Sequence, residues 1–321
     1  MKREKQRELE QMIESEYSNI AGLTVQKGGS LLYEQYFNGC TADSRIHVYS
    51  VTKSIVSILL GIAVDKGYIK SVHQRVLEFF PDYTVKNGEN TIENVTLEHL
   101  LTMTAPYKYQ EAPYIEYFTS SDYVEFALDL LGGSDKIGDF RYAGLIGPDI
   151  LSGILVRRTG QSVLDFAKEN LFSPLGMTVD DPITFSSEEE QMAFNTRSDI
   201  SGWVCDEAGN NTAGWGLTLS ARDMAKIGQL YLDGGLWEGK QIVSKEWIDQ
   251  STREHSRWQE FDLPYGYLWW LEDQGYSAMG DGGNVIYVNK SEKLVVSIAA
   301  FFHPQAKDSI ALIQKYIEPA L

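Results

Sequence analysis

The spacing of apolar and polar positions changes several times along the chain. Residues 3–16 place Leu9, Met12 and Ile13 at helical intervals among charges, which predicts a first helix. Two β-rich runs follow, Leu23–Gln26 and Leu31–Phe37, and Lys27-Gly28-Gly29-Ser30 between them is a hairpin signal. From Ser50 the pattern turns helical through KSIVSILLGIAVDKGYI. That run is apolar on nearly every side, so the helix is expected to be buried, with Gly67 as its stop. Further helices are expected over 93–103 and 121–131, through DILSGILVRRTG to Gly160, and along LDFAKENLF up to Ser173-Pro174. SARDMAKIGQLYLDGG is amphipathic with Ser220 as its N-cap, and SKEWIDQST repeats the pattern. The alternation of strands then returns in YGYLWWL, GYSAMG, NVIYVN and KLVVSIAAFF, with Ser291-Glu292 turning between the last two, and 307–321 closes as a helix.

Strands at both ends with helices between them argue for an α+β fold, its termini sharing one antiparallel sheet. The expected division is a sheet lobe from 1–48 and 265–321, a helical lobe over 49–200, and bridging helices and loops over 201–264, all one catalytic unit. With 321 residues, 43% apolar and 23% charged, the chain is long enough for two lobes about a cleft and matches no disordered or fibrous composition. Asp and Glu outnumber Lys and Arg by 45 to 28, a net charge of −17 that disfavours nucleic acid and anionic lipid as partners. Cys40 and Cys205 are too few for a disulfide framework, and no apolar run approaches the length of a membrane span. The charged start, MKREKQRELE, lacks the apolar core of a secretory signal, so a cytoplasmic location is expected.

Common signatures fail. There is no Gly-x-Ser-x-Gly elbow and no complete dinucleotide or phosphate loop: Val285 stands at the third glycine position after Gly280-Asp281-Gly282, and Gln241 follows Gly239-Lys240. The five histidines, His47, His73, His99, His255 and His303, form no pair at metal-ligand spacing, so neither metal nor cofactor is expected. Ser50-Val51-Thr52-Lys53 is the informative stretch. A serine hydroxyl needs a base, and a lysine three residues on lies on the same helical face. The helix N-terminus adds positive partial charge beside a forming oxyanion.

HVYSVTKSIVSILLGIAVDKGYI, VLEFFPDY, VTLEHLLTMTA, FRYAG, ILSGILVRRTGQSVLDFAKENLFSPLGM, NTAGWGLTLSARDMAKIGQLYLDGGLWEGKQIVSKEWI, YGYLWW and AMGDGGNVIYV occur in that order. Together, over roughly residues 23–303, they resemble the class C β-lactamase-like and penicillin-binding-protein-like serine hydrolases, in the style of the branch with aminohexanoate-oligomer hydrolases and esterases. The resemblance implies a β-lactamase/transpeptidase-like fold with the site between sheet and helical lobe. It makes Ser50 the acylated nucleophile, Lys53 its partner and Tyr142, in FRYAG, the tyrosine of a Tyr-x-Asn motif and a general base. Asp281-Gly282-Gly283 takes the place of the third motif, and the backbone N–H groups of Ser50 and Asn284 become the oxyanion donors.

Two positions depart from the pattern. Gly144 replaces the asparagine of Tyr-x-Asn, and Asp281 stands where relatives carry Lys or His, which reverses the local charge. Both argue against substrates with a free carboxylate beside the scissile bond. Tyr107, Tyr109, Tyr114, Tyr117, Phe118 and Tyr123 crowd one segment, either as an aromatic wall for substrate, with Tyr107 and Tyr109 foremost, or as packing of a long loop. Trp203, Trp215, Trp269 and Trp270 are open to the same two readings. The expected activity is a metal-independent serine hydrolase acting through an acyl-enzyme on small esters or amides without a nearby carboxylate. The competing readings are a weakly catalytic binding or sensing module, favoured by Gly144 and Asp281, and a β-lactamase or D-Ala peptidase.

Overall fold

The computed structural model describes residues 1–86 and 88–321. Among them, eight strands form one antiparallel sheet: β1 (Ile20–Lys27), β2 (Ser30–Tyr36), β3 (Ser256–Trp258), β4 (Leu263–Tyr265), β5 (Trp270–Glu272), β6 (Gly275–Gly280), β7 (Asn284–Asn289) and β8 (Leu294–Ala300). Their spatial order is β2-β1-β8-β7-β6-β5-β4-β3, so the two ends of the chain meet at the β1–β8 pair, where Leu23 lies opposite Ile298 and Val25 opposite Val296.

The sheet is covered on both faces, which is why its central strands read as continuous apolar runs. Successive side chains still alternate. Leu23, Val25, Val285, Tyr287, Val296 and Ile298 turn toward α1 (Arg3–Glu16) and the C-terminal helical segment, where Leu9, Ile13, Leu312, Ile313 and Ile317 bury them. Ile286, Val288, Val295 and Ala299 turn to the other face and join the main core. There α2 (Val51–Asp65) is buried throughout its first 13 residues, from Val51 to Ala63. The helix α3 (Asp149–Thr159) packs in the helical lobe and stops at Gly160, whose φ of 72° suits the left-handed C-terminal position. The helix α4 (Ala221–Leu232) lies on the sheet. A Cβ at Gly228 would come within 2.5 Å of Val295 Cγ1, so glycine is what allows that close approach.

Three features differ from the sequence reading. The sheet takes in β3 and β4, so its C-terminal part starts at Ser256 and the bridging segment is shorter than 201–264. Strands of three residues, one holding Pro264, carry too little alternation to be recognised. The helix expected at 93–103 is two pieces, Thr91–Asn94 and Leu97–Leu101, because Val95 and Thr96 are extended and the Thr96 hydroxyl caps the second piece. Short helices at Tyr114–Phe118 and Glu188–Phe194 fall in stretches with no clear period. Among the described residues no helix is long and apolar enough to cross a membrane.

Candidate active site

Ser50 is the N-cap of α2, at the seam between the sheet and the helical lobe. The chain enters it through Tyr49, which holds a left-handed φ of 48°, an unfavourable conformation for a tyrosine that the surrounding packing must sustain. The Tyr49 ring stacks on His47, with centroids 3.8 Å apart. One turn into α2, the Lys53 amine donates to Ser50 Oγ at 2.7 Å and to the Gly214 carbonyl at 3.0 Å. Lys53 is only 1% exposed, and these two acceptors satisfy its buried N–H groups. The backbone N–H of Ser50 has no acceptor among the described residues and is free to meet an incoming oxygen.

The end of β6 presses against this turn. A Cβ at Gly280 would lie 2.2 Å from the Val48 carbonyl oxygen and 3.1 Å from the Ser50 nitrogen. Only a glycine lets the strand approach so closely. Ser50 thus sits at the floor of a cleft of about 640 Å³. One wall is Met279, Gly280 and Asp281, and the helical lobe contributes Tyr114, Tyr142, Gly144 and Leu145. Trp258, Leu263 and Trp270 complete it. The Tyr142 ring stacks with Trp258 (6.1 Å between centroids) and with Trp270 (5.6 Å). Its centroid is 5.1 Å from the Lys53 amine, which therefore faces the aromatic ring, while the phenol oxygen makes no hydrogen bond to Ser50 or Lys53 among the described residues.

The segment carrying the Gly214 carbonyl is pinned from several sides. Asp149, at the first turn of α3, accepts from the Ala213 N–H at 2.7 Å, and the Trp215 indole donates to the Tyr117 phenol at 3.1 Å. His47 accepts from the Gly216 N–H at 2.9 Å. Burial pushes the pKa of His47 down to about 3, so this imidazole stays neutral. Gly214 also packs backbone to backbone on the Tyr142 loop, since a Cβ there would fall 2.8 Å from the Gly144 oxygen.

The residues singled out from the sequence are thus partly assembled. Ser50, Lys53, Tyr142, Gly144 and Asp281 meet at the cleft. Gly282 and Gly283, with φ of 79° and 90°, line a smaller depression beside Phe302 and His303 instead. Asn284 does not line the cleft. It lies in the sheet opposite Gly280, and its side chain is consumed by the Asp281 and Ala300 carbonyls and the Ala300 N–H. Tyr107 and Tyr109 also stand outside it: their carbonyls accept from the Arg141 guanidinium, which lies 5.8 and 4.8 Å from their rings. They brace the loop that carries Tyr142. In the aromatic segment it is Tyr114 that reaches the cleft, its phenol oxygen 3.2 Å from where a Cβ at Gly144 would be. Burial first, and then the charge of Asp281, push its pKa up. Met279 and Gly280 lie within AMGDGG but were given no role there, and Trp258 and Leu263 belong to no motif, with only their nearness to YGYLWW pointing their way.

The arrangement holds a serine and an amine in hydrogen-bond contact beside a free backbone N–H, at the floor of an aromatic cleft. These are groups that acyl transfer at a serine calls for. The chain is 24% identical over 326 residues to the 6-aminohexanoate-dimer hydrolase of Paenarthrobacter ureafaciens, covering 94% of this chain and 77% of that protein. Its fold matches a putative 6-aminohexanoate-dimer hydrolase from Bacillus anthracis with a TM-score of 0.76 at 20% identity, over 97% of this chain and 81% of that one. It matches a family VIII carboxylesterase with a TM-score of 0.71 at 18% identity, over 97% and 95%. Residues 9–311 match the family described as Beta-lactamase, and on that match the chain belongs to the Beta-lactamase family of serine hydrolases.

Proposed function

We propose that the chain hydrolyses small esters or amides through an acyl-enzyme on Ser50, without a metal, and that its substrates lack a free carboxylate beside the scissile bond. The observation that carries this reading is the 2.7 Å contact between the Lys53 amine and Ser50 Oγ at the floor of an open cleft. In this reading Ser50 Oγ attacks the acyl carbon while its proton passes to Lys53 in its neutral amine form or to Tyr142 in its phenolate form. The negative oxygen that forms is met by the Ser50 N–H and by a backbone donor from the stretch 279–281, which lines the cleft where Asn284 does not. The proton then goes to the leaving alcohol or amine, and water releases the acid from Ser50 by the reverse path. The related hydrolases named above, acting on an amide dimer and on carboxylic esters, support this range.

Substrate preference follows from the walls. Leu145, Leu263, Met279 and the rings of Tyr114, Trp258 and Trp270 suit an apolar or ring-bearing acyl group. Asp281 is exposed at the rim, and no cationic side chain is among the described residues that line the cleft. A substrate carboxylate there would meet repulsion, and an ammonium would not. The space beside Gly144, which an asparagine would occupy in relatives, is instead reached by the Tyr114 phenol, so a polar group is still present at that wall. The test is a screen of p-nitrophenyl acyl esters, amino-acid amides and nitrocefin. Turnover of the neutral esters or amides with little of nitrocefin is expected. Efficient nitrocefin hydrolysis would make the chain a β-lactamase, and no turnover of any of them would favour the binding or sensing module.

A further inference from the structure

Asp149 is a carboxylate with 1% exposure that the reaction above does not use. It occupies the first turn of α3, where the helix N-terminus favours a negative charge. Oδ1 accepts from the Ala213 N–H at 2.7 Å, and Oδ2 accepts from the Tyr117 phenol at 2.6 Å. Tyr117 in turn accepts from the Trp215 indole at 3.1 Å. These bonds grip the chain immediately before and after Gly214, whose carbonyl holds the Lys53 amine. On the far side of that amine is Ser50 Oγ. An unbroken series of contacts therefore runs from the carboxylate to the nucleophile.

Resting on the hydrolase reading, the geometry points to Asp149 as a positioning residue for acylation: through Ala213, Tyr117 and Trp215 it fixes the Gly214 carbonyl, and with it the Lys53 amine, against Ser50. The ionised form suits this task, since both bonds it makes are accepted and neither oxygen is left with a proton to donate. The groups that act on it are known. Lys53 from α2 favours ionisation of Asp149, Asp206 opposes it, and Tyr117 is bonded to the carboxylate. Tyr107 and Tyr123 are themselves affected by its charge. Burial raises its pKa to about 7, against the Tyr117 and Ala213 hydrogen bonds and the Lys53 charge, so the grip forms as pH rises through neutrality.

The experiment is the second-order rate of Ser50 labelling by a fluorophosphonate, measured from pH 5 to 9 in wild type, Asp149→Asn and Tyr117→Phe, with circular dichroism and reagent affinity followed in parallel. Asp149→Asn keeps one acceptor for Ala213 but offers an N–H to Tyr117. It is expected to label at least tenfold more slowly at saturating reagent, with affinity unchanged, and to lose the rise in rate near neutral pH. Tyr117→Phe removes a bond that favours the carboxylate, so its rise is expected to move to higher pH. That variant carries the test if Asp149→Asn does not fold. A rise that stays in place in the folded variants, or wild-type rates in both, overturns the inference while leaving the hydrolase reading intact. Failure of wild type to label at all overturns the hydrolase reading and this inference with it.

Discussion

Replacing Gly280 with alanine tests the idea that close backbone approach sets the geometry of the nucleophile. Gly280 is in ordinary extended conformation, with φ of −136° and ψ of 156°, so alanine brings no backbone strain. It brings a methyl group 2.2 Å from the Val48 carbonyl oxygen and 3.1 Å from the Ser50 nitrogen. The first distance is about 1 Å inside van der Waals contact, and both neighbours are backbone atoms that cannot rotate away. The end of β6 and the turn into α2 must therefore separate by about that amount. Overpacking of this kind costs roughly 1–3 kcal/mol. A displacement of about 1 Å at reacting groups lowers rates by about 100-fold. The assay is fluorophosphonate labelling of Ser50 alongside a thermal melt, with Gly160→Ala as comparison. Gly160 has φ of 72° and nothing within 4 Å of an added Cβ, so that variant loses about 1 kcal/mol through the backbone alone and labels at the wild-type rate. Labelling of Gly280→Ala at the wild-type rate would refute the argument.

Other outcomes are expected. Lys53→Met keeps the buried volume and removes the amine, so labelling and turnover should fall by about 100-fold or more while the melt changes little. Tyr142→Phe preserves the stacking with Trp258 and Trp270, and a kcat drop of about tenfold or more at unchanged stability is expected if the phenol moves the proton. Unchanged kcat would leave that task to Lys53. Asp281→Lys should raise nitrocefin acylation relative to a neutral ester by about tenfold, and equal effects on both would remove Asp281 from substrate selection. Asp149 also predicts a pH dependence of stability. Its native carboxyl keeps a proton up to about pH 7, whereas the unfolded chain releases it near 3.8, so the native state binds more protons in that window and loses stability as pH rises through it. Chemical denaturation should therefore show Asp149→Asn gaining on wild type by up to about 1.4 kcal/mol per pH unit there, and a constant difference would show that the carboxyl ionises normally.

Much of this was legible in residue order. The apolar run after Ser50 could only be a buried helix, and its first turn necessarily brought Lys53 round to Ser50. The β-rich ends predicted a shared sheet through their β-branched and aromatic runs between turn signals, even though covering both faces leaves little alternation of polarity. What escaped was tertiary. Asn284 follows three residues that turn tightly, so the strand carrying it lies one place over in the sheet while Met279 and Gly280 form the wall. Tyr107 and Tyr109 share the composition of Tyr114 but are held by Arg141, a partner more than 30 residues away in sequence. Asp149 opens DILSGILVRRTG without any motif to mark it, and only the fold shows it buried against Ala213 and Tyr117.

The most direct test of the account is mass spectrometry of the intact protein and its peptides after fluorophosphonate treatment. One adduct on wild type, mapped to Ser50 and absent from a folded Ser50→Ala variant, is the predicted result. A folded wild type that takes no adduct, or takes it at another residue with Ser50 unmodified, would contradict the claim that Ser50 is an activated nucleophile.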